Sequence, residues 1–154
     1  MKLIKIFAAI IVFGSVAFIS GCSEEKTVSF EGHEDKVALL EKLPKCLDDP
    51  ETVREIYLEN AILKWQENTG GMTELKDLKE IEKHYRDLGK NYRFINLSIS
   101  DIKEEANNAH LEYQITIQDR RSNLETKLNC SAEMVKQSQE WQIIENIFKF
   151  ARYG

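Results

Sequence analysis

From Tyr92 to Phe150 apolar side chains recur at nearly every second position, and this period limits the fold more than any other feature. Ala109, Leu111, Tyr113, Ile115 and Ile117 alternate with His110, Glu112, Gln114, Thr116 and Gln118. Leu124, Thr126, Leu128, Cys130, Ala132 and Met134 alternate with Glu125, Lys127, Asn129, Ser131 and Glu133. Successive side chains of a strand point to opposite faces, so each run makes a strand with one apolar and one wet face. Tyr92 to Ile102 alternates less regularly, through Leu97 and Ile99, and Trp141 to Phe150 adds Ile143, Ile144, Ile147 and Phe148. Arg120-Arg121-Ser122-Asn123 and Gln137 to Glu140 read as turns. Four strands joined by short polar turns predict an antiparallel meander, one face of which must be covered.

The covering layer is expected in the preceding chain. Val37, Leu40 and Leu43, with Leu39 beside them, predict a short helix that Pro44 stops. Asp48-Asp49-Pro50-Glu51-Thr52 has the cap, proline and acid of a helix start. Val53, Ile56, Tyr57, Ala61 and Lys64, flanked by Leu58, Ile62 and Trp65, extend that helix to about Glu67, where Asn68-Thr69-Gly70-Gly71 ends it. Thr73 is the expected cap of a second long helix carrying Leu75, Leu78, Ile81 or Glu82, Tyr85 and Leu88, with Gly89 terminating it. The expected fold class is α+β, two or three N-terminal helices packed on a four-stranded antiparallel meander sheet. This order of elements, over about residues 34–150, resembles the cystatin-like and nuclear-transport-factor-two-like α+β folds of many small bacterial lipoproteins. The resemblance implies a cone between helices and sheet, which in some members holds a ligand or partner. It carries no functional residue over to this chain, because no motif is shared.

The N-terminus reads as an export leader. Lys2 and Lys5 precede an apolar run from Ile6 to Phe18 broken only by Gly14 and Ser15, and small residues follow. The run is shorter than the roughly 20 apolar residues a comfortable bilayer span needs; a retained transmembrane anchor is the alternative. Ile19-Ser20-Gly21-Cys22 resembles a bacterial lipobox, with isoleucine where leucine is commoner. That resemblance implies removal of residues 1–21 and lipidation of Cys22; the polar run to His33 then reads as a flexible tether over residues 22–33, and the remaining length as a single domain over 34–154. Two or more acyl chains make a stable anchor. Ser23 after the cysteine resembles an outer-membrane sorting preference, which in a Gram-negative host would face the domain into the periplasm. In a Gram-positive host the domain would lie outside the single membrane.

The chain is net −5, and 21 basic residues less Lys2 and Lys5 leave 19 against 26 acidic ones, or −7, after cleavage. Such a balance has no electrostatic footprint for nucleic acid. Cys46 and Cys130 remain, and export to an oxidising space favours pairing them as a disulfide. Closing so long a loop would contribute on the order of 4 kcal/mol. Two buried free thiols are the alternative, and the absence of a C-x-x-C spacing argues against a redox pair.

No catalytic or cofactor motif appears. His33, His84 and His110 lack a metal-ligand spacing; Glu80 and His84 suggest an exposed helical pair. No serine sits in G-x-S-x-G, and Gly70-Gly71 has no following lysine for a phosphate loop. Glu104-Glu105, Asp48-Asp49, Glu80 and Glu82 read as solvated acids, and Arg120-Arg121 as a solvated tip or a partner contact. The expectation is a non-catalytic domain without metal or cofactor that binds an envelope protein or a small apolar ligand. The alternative is an enzyme or ligand site in the cone, drawing on Tyr57, Tyr85, Tyr113 and His84. Trp65 and Trp141 discriminate: both buried means core, one exposed beside apolar neighbours means a partner surface.

Overall fold

The computed structural model describes residues 30–151. The leader, Cys22 and most of the expected tether therefore lie outside the described residues. Phe30–His33 already turns onto the domain: the His33 N–H donates to the Phe30 carbonyl at 2.9 Å, and His33 Nδ1 lies 3.2 Å from Glu104.

The N-terminal layer is α1 (Glu34–Leu40), α2 (Lys45–Asp48), a 3-10 turn (Pro50–Thr52), α3 (Val53–Ile56) and, after two strands, α4 (Leu78–Asn91). The strands are β1 (Tyr57–Gln66), β2 (Met72–Leu75), β3 (Tyr92–Glu105), β4 (Asn108–Asp119), β5 (Glu125–Gln137) and β6 (Glu140–Phe150). They form one sheet ordered β2-β1-β6-β5-β4-β3. The four expected strands are present as a meander, and the sheet exceeds the expectation by two strands. β1 pairs parallel with β6, and β2 pairs antiparallel with β1. Bulges at Phe94/Asn96, at Ile99/Asp101 and at Glu133/Met134 bend and twist the strands, curving the sheet around the helices.

The long helix expected from Pro50 to Glu67 is corrected. Asp49 does cap the turn, accepting from the Glu51 N–H at 3.3 Å, but the helical segment ends at Ile56 and the chain becomes a strand at Tyr57. Ala61 and Leu63 are buried and Trp65 half-buried, a period of two. The irregularity between Tyr57 and Ile62 sets Tyr57 and Ala61 four apart on the same buried side, which imitates helical spacing.

The next helix also starts and ends elsewhere than expected. Thr73 lies in β2, and the cap is Asp77, which accepts from the Glu80 N–H at 2.8 Å while Glu80 accepts from the Lys76 N–H at 2.9 Å. These two carboxylates satisfy amides that a helix start leaves free. Ile81 and Tyr85 face the core. Gly89 does not terminate α4, which continues to Asn91; it lets α2 approach, since a Cβ there would lie 2.2 Å from the Leu47 carbonyl oxygen.

The inner face of the sheet carries Leu111, Tyr113, Ile115, Leu128, Cys130, Ala132, Met134, Ile143 and Phe148, packed under Leu39, Leu40, Leu43, Val53, Ile56 and Ile81. α1 is pinned by an unusual lysine. Lys36 is 1% exposed, its ammonium 2.6 Å from Glu104 and 3.2 Å from Asp35 and 4.6 Å above the Trp141 ring. Burial alone would lower its pKa, but the two carboxylates outweigh that and raise it.

Candidate functional site

The cone between α4, β1 and the meander is where a site would lie in this architecture, and the chain places tyrosines there. Tyr57 opens β1, Tyr85 sits mid-helix on the buried side of α4, and Tyr113 is on the inner face of β4. All three are buried, and Asn146 of β6, fully buried, links them. The Tyr113 hydroxyl donates to Asn146 Oδ1 at 2.6 Å, Asn146 Nδ2 donates to the Tyr57 oxygen at 2.8 Å, and the Tyr57 and Tyr85 hydroxyls share a hydrogen bond of 2.8 Å. Burial pushes all three phenols well above their ordinary range, so they stay neutral. Asn146 carried no warning in the sequence.

Beside the network the interior is nearly filled. The cavity at Tyr85 measures about 20 Å³ and its walls, including Leu47, Leu88, Phe94, Ile115 and Phe148, are almost wholly apolar. That is room for about one water molecule, against the several hundred Å³ of a typical small-molecule pocket. No carboxylate or histidine lines it.

His84, expected with the tyrosines and paired to Glu80, meets the Tyr85 ring edge-on at 6.0 Å but joins neither the hydrogen-bond network nor Glu80. Glu80 is committed to the helix start, and the His84 ring packs on Trp65 at 4.8 Å, outside the network. Burial lowers its pKa. Trp65 is half-buried against Phe148 and Trp141 is buried, so of the two tryptophans only Trp141 meets the expectation of a fully buried core residue, and neither is exposed beside apolar neighbours.

His110 lies on the outer sheet face between two carboxylates, with Nε2 2.6 Å from Glu112 and Nδ1 on Glu133. The hydrogen bond to Glu133, then that to Glu112, raises its pKa. Among the described residues no cluster of three or more acidic, histidine or cysteine groups is arranged to hold a metal ion. The adjacent acids separate in role: Glu104 holds Lys36 and His33, whereas Glu105 makes no ion pair among the described residues.

The expected disulfide is absent from the structure: Cys46 and Cys130 are both buried free thiols. Cys46 sits in α2 and is fully buried, and Cys130 sits on the inner face of β5 between Tyr113 and Phe148, its thiol donating to the Leu128 carbonyl at 3.4 Å. Burial pushes the Cys46 thiol up to about 12 and raises Cys130 as well. Among the described residues no helix is long and apolar enough to cross a membrane.

No protein-family model matches the chain, and no curated protein matches it in sequence. Solved structures do resemble it in shape. An NTF-2-like protein of unknown function from Silicibacter pomeroyi shares 12% identity at TM-score 0.63, over 80% of this chain and 100% of the other. A domain of unknown function with a cystatin-like fold from Nostoc punctiforme shares 15% at 0.66, over 79% and 80%. A ketosteroid isomerase-like protein from Erwinia carotovora atroseptica shares 14% at 0.63, over 85% and 100%. The chain therefore has the α+β NTF2-like, or cystatin-like, fold: N-terminal helices on a six-stranded, mostly antiparallel curved sheet. At these identities the likeness extends to the fold alone.

Proposed function

We propose that this protein is an envelope lipoprotein, anchored through Cys22, whose domain binds a partner and performs no chemistry of its own. The observation that carries the reading is the filled cone. Its polar groups, Tyr57, Tyr85, Tyr113 and Asn146, are spent on one another; the cavity beside them, about 20 Å³, is too small for an organic substrate, and the adjoining one at Trp65, Leu88 and Ile117, about 130 Å³, is below the size of a typical ligand pocket. A general acid or base must reach the proton it moves, and the cavity wall offers only a neutral phenol.

The test is to follow lipid incorporation and membrane fractionation of the intact protein and of Cys22→Ala. Labelling and membrane retention lost in the variant support the reading; unchanged retention with no labelling of either form overturns the anchor. A second reading, that the cone admits a small apolar ligand, is favoured by the apolar walls of the cavity. It predicts saturable uptake of an apolar fluorescent probe, reduced by Leu88→Trp.

A further inference from the structure

We infer that the end of the cone between β1, β3 and β6 is a binding site for the methylated ammonium head of an organic cation. Three aromatic side chains from three strands line one cavity there: Trp65 near the end of β1, Tyr92 at the start of β3 and Phe150 at the end of β6. Leu88 of α4 and Ile117 of β4 complete its apolar part. The three rings and Leu88 are half-buried, so the fold holds them while part of each stays open to an occupant. The cavity measures about 130 Å³, which is room for a headgroup and not for a drug-sized molecule.

The sheet brings these residues together. β1 and β6 are neighbours, with Trp65 level with Phe148, and the Phe150 N–H donates to Gln66 Oε1 at 2.9 Å, tying the two strand ends. β3 lies three strands from β6 at the sheet's edge, and Tyr92 reaches the same cavity because the sheet is curved.

The charge on the lining selects the ligand. Glu67, the residue after β1, is the one charged group among the described residues that line the cavity. It is held in place: its carboxylate accepts from the Thr73 hydroxyl, its N–H donates to the Gly71 carbonyl at 2.7 Å, and its carbonyl accepts from the Gly70 N–H at 2.9 Å. The other polar lining groups, Asn68 and Thr126, are neutral. Arg120, whose Nε reaches the Tyr92 carbonyl at 3.1 Å, turns toward Gly89 and Asp48 and does not line the cavity. His84, packed on Trp65, is kept neutral because burial lowers its pKa. Aromatic faces attract a cation, quaternary ammonium groups above all, and the carboxylate beside them excludes an anion. A bare primary ammonium is strongly hydrated and needs acceptors for its three donors, whereas a methylated one presents apolar surface to the rings. Every residue in this site lies in the described domain, so the inference stands apart from the anchor at Cys22.

The test titrates the full-length protein, in an uncharged maltoside detergent and with isotope-labelled indoles, with tetramethylammonium and with choline, read by nuclear magnetic resonance. Trp141, packed under Lys36 at 4.6 Å, does not line the cavity and serves as the internal reference. The expected result is a saturable shift of the Trp65 indole signal alone, with affinity weakened roughly three- to tenfold in Glu67→Gln and in Tyr92→Leu and retained in Tyr92→Phe. The neutral alcohol in which carbon replaces choline's nitrogen should leave the signal in place at the same concentrations. Binding of that alcohol as strong as choline's makes the site a plain apolar slot and overturns the proposal, as does an unmoved Trp65 signal or an affinity unchanged in Glu67→Gln. Glu67 is exposed, so its variant should keep the parent's thermal midpoint, and it decides the matter even where Tyr92→Leu fails to fold. Competition by a short-chain phosphatidylcholine below its micelle concentration supports the site with a lipid headgroup as the source; binding of choline without such competition supports it with a free solute.

Discussion

Replacing Gly89 by alanine tests how the helical layer is seated. In an ordinary helix the change would stabilise by about 1 kcal/mol, because glycine is the poorer helix former. Here the new Cβ would lie 2.2 Å from the Leu47 carbonyl oxygen, 3.1 Å from its carbon and 3.4 Å from its Cα. The obstacle is backbone, so no rotamer relieves it. α2 would have to retreat by about 1 Å, an overpacking cost at the upper end of the ~1–3 kcal/mol range. α2 is not free to retreat cheaply, for it carries fully buried Cys46, and Asp48 faces Arg120. Subtracting the helix gain leaves a net loss of ~2 kcal/mol, or about 8 °C in Tm for a domain of this size. Thermal and urea unfolding followed by circular dichroism would measure it, with the exposed Lys83→Ala as a control expected to change stability by less than about 0.5 kcal/mol. A Gly89→Ala protein as stable as the parent, or more so, would refute the close approach of α2 and α4.

Two further predictions concern the buried network and the outer face. Tyr57→Phe leaves Asn146 Nδ2 and the Tyr85 hydroxyl without a partner and should cost about 2–4 kcal/mol in urea unfolding, whereas Tyr92→Phe at a half-buried edge should be near neutral. His110 has a raised folded pKa through Glu133 and Glu112, so its stabilisation is complete below the unfolded histidine pKa and is lost as pH rises through the folded value. The stability difference between the parent and His110→Gln should therefore shrink as pH rises from mildly acidic through that value, and a difference constant with pH would contradict the clamp.

Much of this fold was legible because its signals are local. The alternation along β4 and β5 reports which side chains share a face, and it identified the inner residues from Ala109 to Ile117 and from Leu128 to Met134. β1 was illegible for a long-range reason. Its pairing partner, β6, lies some eighty residues away, and the irregularity after Tyr57 shifts its buried positions into a helix-like spacing. The sound helix start at Asp49 and Pro50 then lent the wrong element support. The convergence of Tyr57, Tyr85 and Tyr113 could be suspected from their apolar faces. Asn146, which joins them, and the packing of His84 on Trp65 could not, because each depends on which strands meet. Cysteine parity likewise carries no geometry: Cys46 and Cys130 share the buried core as free thiols.

The central claim is a lipid-anchored domain with a sealed, reduced interior, and intact mass tests it most directly. The protein would be extracted from membranes, denatured without reductant, alkylated and weighed. The account predicts a chain that begins at Cys22, carries diacylglycerol mass, and takes an alkyl group on both Cys46 and Cys130. A chain that still begins at Met1 with no lipid would contradict the anchor and the envelope role built on it, and alkylation of those cysteines only after reduction would contradict the free thiols of the core.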